Sequence, residues 1–181
     1  MHEWHTETGR NPFRLINSFL GFEFETDYGG PARVSDVKMS DKTFFDLDTA
    51  RSYVTSTSYG GRVAYMVAYS TGKKFSKAYQ NAYANFLERY KEYKDFSKNL
   101  TIAYGRKASK VTCPQCESSI SLKYGTRFKA CPVCGSPKII SDSNWKMLDT
   151  KRRLAEKAAE NLAKEAEKND VTFVCGIEWH C

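Results

Sequence analysis

The sequence predicts an α+β fold: a small mixed sheet packed by two long helices, with a four-cysteine segment inserted between those helices. Three observations predict it. Ser76 to Leu100 and Asn144 to Asn169 repeat their apolar residues at helical spacing. Several short stretches alternate, or run apolar at strand length, and one of them closes the sequence. The paired cysteines, Cys113, Cys116, Cys131 and Cys134, all fall between the two helical stretches.

The elements follow in chain order. Asn11 to Leu20 opens Asn-Pro, which suits a capped helix with proline at its first position. Gly21 to Asp27 alternates apolar and acidic residues and reads as a strand with Phe22 and Phe24 inward, and Tyr28 to Pro31 reads as a turn. Asp48 to Val54 suits a short helix capped by Asp46 or Asp48. Arg62 to Tyr69 is apolar on both faces, as a central strand requires. Along Ser76 to Leu100, Phe75, Tyr79, Tyr83, Phe86, Tyr90, Tyr93 and Phe96 recur every three or four residues. Such a stripe serves burial against a sheet before it serves base stacking. The second helix carries Leu148, Leu154, Ala158, Leu162 and Ala166 along one side. Val171 to Trp179 then places Val171, Phe173, Cys175, Ile177 and Trp179 on one strand face. Glu3-Trp4-His5 echoes Glu178-Trp179-His180, too short a match to count as a repeat.

A chain of 181 residues, 41% of them hydrophobic, is long enough for one core of ordinary size and a small insert. No apolar run approaches the roughly 18 residues of a membrane span, so no membrane association is expected. The polar start MHEWHTETGR lacks the apolar stretch of a secretory signal. The expected setting is therefore a reducing, cytoplasmic one, where paired cysteines bind metal more often than they cross-link.

The four cysteines form the pattern C-P-Q-C, fourteen residues, C-P-V-C-G. Two C-x-x-C turns supply the tetrahedron of soft ligands that zinc takes, and the two-residue gap points both sulfurs of a turn at one ion. Pro114 and Pro132 set φ within the turns, and Gly135 permits a left-handed conformation just past the second pair. These residues resemble the zinc-ribbon, or rubredoxin-type knuckle, family over about residues 110–140. The resemblance implies Cys113, Cys116, Cys131 and Cys134 as ligands of one Zn2+ per chain, with iron the alternative metal. Glu117 stands where the first knuckle of that family commonly has glycine. The expected organisation is a discontinuous α+β domain of residues 1–108 plus 142–181, with the ribbon at 109–141.

Charge is unevenly spread. Residues 98–153 carry 12 basic and 3 acidic side chains, against a net +7 for the whole chain. A local cationic field attracts polyanions, nucleic acid first among them. Between the knuckles, pairing Lys123 with Arg127 across the loop Tyr124-Gly125-Thr126 sorts the hairpin fully. Ile120 then faces Ala130 and Leu122 faces Phe128 on one side, while Ser121 faces Lys129 on the other. Like charges set opposite each other invite a phosphate.

The remaining candidates carry less. Cys175, His180 and Cys181 are weak candidates for a second metal site, since strand geometry spreads them over two faces and about 20 Å. No nucleophile–base frame or phosphate-binding glycine loop is recognisable, a site closed by four cysteines holds structure, and no small-molecule substrate is evident. The expectation is a non-enzymatic protein that grips nucleic acid through Lys123, Tyr124, Arg127 and Lys129, with Lys151, Arg152 and Arg153 on the second helix. The alternative is a protein–protein adaptor or inhibitor that meets an acidic protein or a nucleoprotein complex, a role that would also suit a phage or mobile-element accessory factor.

Overall fold

The computed structural model describes residues 2–26, 28–56, 62–72, 75–102, 110–113, 115–121, 131, 133–135 and 142–180, the side chains of 2–4, 99–102, 110–112, 120–121, 142–145 and 179–180 excepted. Among the described residues the fold is α+β, with four helices and a mixed four-stranded sheet. The chain divides into two compact units, one of residues 1–84 with 158–181, the other of residues 85–157. Among the described residues no helix is long and apolar enough to cross a membrane.

The first unit is built on a sheet in the order β1 (His2–Gly9), β8 (Val171–His180), β5 (Val63–Ser70), β4 (Asp36–Phe44). β8 is antiparallel to both of its neighbours, and β5 runs parallel to β4. A parallel pair needs a crossover, and α2 (Leu47–Thr55) supplies it. β5 is the central strand its two-faced apolar run predicts, with Ala64, Met66, Val67 and Ala68 all buried. β8 lies beside it. Its alternation predicts one inward row, yet Val174 and Gly176 are buried along with Phe173, Cys175 and Ile177. The second row is covered by α2, whose fully buried Ala50 and Val54 pack on Val67 and Val174. Asp46, one of the two expected caps, holds the start of α2: its carboxylate accepts from the Thr49 N–H at 2.9 Å and the Thr49 hydroxyl at 2.6 Å. Those bonds keep its pKa below the usual carboxylate value.

The opposite face carries α1 (Pro12–Phe19) and the start of α3 (Lys77–Ile102). Asn11 caps α1 by accepting from the N–H groups of Phe13 and Arg14, with Pro12 at the first helical position. Phe19 and the short hairpin of β2 (Glu23–Glu25) and β3 (Pro31–Arg33) stand beside β1, where the His5 ring stacks on Phe22 at 4.6 Å. Phe24 is buried, as the alternation predicts, and Phe22 is half-buried. Tyr83 of α3 lies parallel to Phe173 of β8 at 6.4 Å, and its hydroxyl donates to the Ser40 carbonyl at 2.5 Å. Burial, with Asp41 nearby, pushes the Tyr83 hydroxyl up to about 12. The aromatic stripe therefore packs: Tyr79 and Phe86 are buried, and Phe75, Tyr83, Tyr90, Tyr93 and Phe96 are half-buried.

One sequence expectation needs correction, and two features of the sheet were not foreseen. α4 (Asp142–Lys168) buries Ala155, Ala158, Ala159, Leu162 and Ala166, but Leu154 is exposed, because the buried stripe passes through Ala155 instead. β1 and β4 escape hydrophobic patterning altogether. Both are sheet edges, and an edge strand needs a partner more than it needs apolar residues. The echo of Glu3-Trp4-His5 with Glu178-Trp179-His180 is a cross-strand pairing, Glu3 opposite Trp179 and Trp4 opposite Glu178.

Candidate metal centre

Two tight turns in the unit of residues 85–157 build the site. The first is closed by a short antiparallel pair, β6 (Lys110–Thr112) with β7 (Ser119–Ser121), which places Thr112 opposite Ser119 on either side of the knuckle. Within it the Cys113 N–H donates to the Ser118 carbonyl at 3.0 Å and the Glu117 N–H to the Cys113 carbonyl at 2.9 Å. The second turn repeats the latter bond, Gly135 N–H to Cys131 carbonyl at 2.8 Å. Glu117 and Gly135 therefore occupy equivalent positions, and both are left-handed, at φ 57° and 73°. Glycine adopts that conformation without penalty, whereas a residue with a Cβ gives up about 1 kcal/mol or more. The glutamate thus keeps the glycine geometry expected there at a local cost.

The four sulfurs lie within 4.8 Å of one another. Cys113 Sγ stands 3.8 Å from Cys134 Sγ, and Cys116 Sγ 3.8 Å from Cys131 Sγ. A tetrahedron with metal–sulfur bonds of roughly 2.3 Å has edges of about 3.8 Å, so these cross-turn pairs already have the separation one ion demands. A disulfide would need about 2.05 Å. Cys113 and Cys131 are buried, Cys116 is half-buried and Cys134 is exposed.

Backbone donors favour the thiolate form. The N–H groups of Cys134 and Val133 point at Cys131 Sγ, the latter at 3.4 Å, and they lower that thiol's pKa. The Ser118 hydroxyl, and then its N–H, bring the Cys116 thiol down to about 6. A donor set of four soft sulfurs, each pair held by a C-x-x-C turn, is positioned to hold a metal ion with no coordination position left open.

The expected nucleic-acid contacts separate into two groups. Lys123, Tyr124, Arg127 and Lys129, with the hairpin register proposed for them, lie outside the described residues. Lys151, Arg152 and Arg153 are on α4 and are partly engaged within their own unit. Arg152 contacts Asp149 at 2.9 Å and Glu156 at 3.4 Å, while Arg153 contacts the other oxygen of Asp149 at 3.0 Å. Lys151 Nζ sits 5.8 Å from the centroid of the Phe96 ring. The signal was available: Asp149 precedes the two arginines by three and four residues, the spacing of neighbours on a helix surface. Even so, this unit holds 16 basic and 7 acidic residues, net +9, and the other unit is net −2.

Of the weak second-site candidates, Cys175 sits in the core of β8, where burial pushes its thiol up and keeps it neutral. His180 pairs with His2 across β1 and β8, and Cys181 lies outside the described residues. Among the described residues, Cys113, Cys116, Cys131 and Cys134 are the group of potential ligands close enough to share an ion. No protein-family model, curated protein or solved structure matches the chain.

Proposed function

We propose that the ion is zinc, that it is structural, and that the unit around it binds nucleic acid through its basic surface without catalysis. One observation carries this reading: the unit that holds the four-cysteine centre also holds 16 basic residues against 7 acidic ones. Zinc follows from the tetrathiolate set in a reducing, cytoplasmic setting. The hairpin between the knuckles has too small a core to fold alone, so the metal orders it. Lys123, Arg127 and Lys129 on that hairpin meet phosphates, and Tyr124 at its tip stacks on a base where the target is single-stranded. Because Arg152 and Arg153 share Asp149, they contribute less than their charge suggests.

The test is the salt dependence of binding to DNA and RNA. Affinity should fall with a log–log slope of about −0.7 to −0.9 per phosphate contact. Replacing Arg127 and Lys129 by glutamate should weaken binding to all sequences equally and make the slope shallower. Binding that ignores both salt and these charge reversals would refute the reading.

A second reading, contact with an acidic protein or nucleoprotein partner, draws on exposed apolar groups in the same unit. Val133 at the second knuckle is 65% exposed, and Met147 and Leu154, two turns apart on α4, are 49% and 43% exposed. Co-purification with and without nuclease separates the two. A nuclease-resistant partner that is lost on Val133→Asp, with no binding to nucleic acid at low salt, decides for protein.

A further inference from the structure

The first unit, net −2 overall, contains an open cleft whose walls are locally cationic. It measures about 690 Å³, within the size range of small-molecule sites, and is lined from β1, α1 and α4. Arg10 follows β1, Arg14 is on α1 and Lys164 is on α4. Leu15, Ala163 and Gly9 supply apolar surface. Two acids also line it, and they differ in what holds them. Glu7 accepts from the Ser18 hydroxyl at 3.1 Å and contacts His5 Nε2 at 3.3 Å, so both of its oxygens are engaged. Glu160 stands on α4 four residues before Lys164. Arg10 has a distant partner, Asp170 at 3.8 Å.

We propose that this cleft binds a small phosphate monoester, its phosphate against Arg10, Arg14 and Lys164 and its apolar body against Leu15 and Ala163. Two guanidinium groups and an ammonium suit the several oxygens of a phosphate dianion, since arginine offers forked donors and lysine a point charge. Ser18, whose hydroxyl lies 2.8 Å from the Leu15 carbonyl and 3.1 Å from Glu7, is tied into the wall of the cleft, so the proposed contacts with the phosphate rest on the three cations. This site is independent of the basic unit that carries the proposed nucleic-acid function.

The experiment titrates AMP, with inorganic phosphate and uncharged adenosine alongside, into the full metal-loaded chain. Calorimetry and the methyl resonances of Leu15 and Ala163 are the readouts. AMP should bind saturably and perturb those methyls, and adenosine should not. Arg14→Gln and Lys164→Gln should each weaken binding by roughly tenfold, the loss of one charge-assisted contact. Glu160→Gln, which removes a repelling charge, should tighten it. Glutamate at Arg127 and Lys129 should leave AMP binding unchanged, which separates failure here from failure of the nucleic-acid reading. Arg14, Glu160 and Lys164 are exposed, and unchanged melting temperatures verify that the variants fold. No saturation, equal affinity in the Arg14 and Lys164 variants, weaker binding in Glu160→Gln, or loss of binding in the Arg127/Lys129 variant would each overturn the proposal.

Discussion

Gly176 sits in β8 close to both β1 and α2, and replacing it with alanine should destabilise the chain. An added Cβ would lie 2.8 Å from Thr6 Cγ2, 2.8 Å from Val54 Cγ2 and 3.2 Å from the His5 carbonyl oxygen. Two of these neighbours are methyls of β-branched side chains, which have little rotamer freedom to retreat. Val54 is fully buried. The His5 oxygen is backbone, fixed by the β1–β8 ladder, in which Thr6 pairs with Gly176 itself. Relieving both methyl contacts means moving α2 off the sheet or β1 out of register, and overpacking of this kind costs about 1–3 kcal/mol. A strand glycine is otherwise a poor choice by about 0.5–1 kcal/mol relative to alanine. The expected net loss is therefore about 1 kcal/mol, or a fall in melting temperature of roughly 2–4 °C for a chain of this size. Thermal and urea unfolding of Gly176→Ala, Val54→Ala and the double variant measures it. Val54→Ala alone opens a cavity, but in the double variant the new methyl fills part of it, so the two losses should sum to more than the double variant shows. An alanine variant as stable as the parent, or strict additivity in the cycle, would refute the close approach.

Glu117→Gly should raise stability by about 1 kcal/mol, because it removes the left-handed penalty and keeps the knuckle's bonds; differential scanning fluorimetry of the metal-loaded protein checks the sign. Cys131→Ser should abolish stoichiometric metal, read by elemental analysis, and chelator treatment of the parent should reproduce the same loss of order by hydrogen exchange. Tyr83→Phe should cost about 1 kcal/mol near neutral pH for its hydrogen bond to Ser40. The folded state raises the Tyr83 pKa from 10.0 to about 12, so its contribution is complete below pH 10 and lost as pH rises through 12. Alkaline unfolding of Tyr83→Phe should accordingly be shallower over that interval.

What the sequence determined by itself is local chemistry. The ligands Cys113, Cys116, Cys131 and Cys134 announce themselves because a C-x-x-C turn brings its own two sulfurs together, whatever surrounds it. Asn11 and Asp46 mark helix starts because a cap satisfies N–H groups two or three residues away, and the long helices show through their repeat for the same reason of reach. Tertiary structure decided whatever depends on a distant partner. β1 is a strand because β8, from the other end of the chain, offers it a ladder of hydrogen bonds, and neither its composition nor its charge reveals that. Val174 and Gly176 are buried because α2 closes a second face that alternation along one strand cannot register. Leu154 is exposed and Ala155 buried because the packed stripe of α4 is chosen by what packs against it, which helical periodicity alone leaves off by one residue. Charge divides in the same way. The sequence located the basic segment and, by helical spacing, the pairing of Arg152 and Arg153 with Asp149, but only folding turned Arg10, Arg14 and Lys164 toward one cleft, since neighbours distant along the chain are set by distance in space.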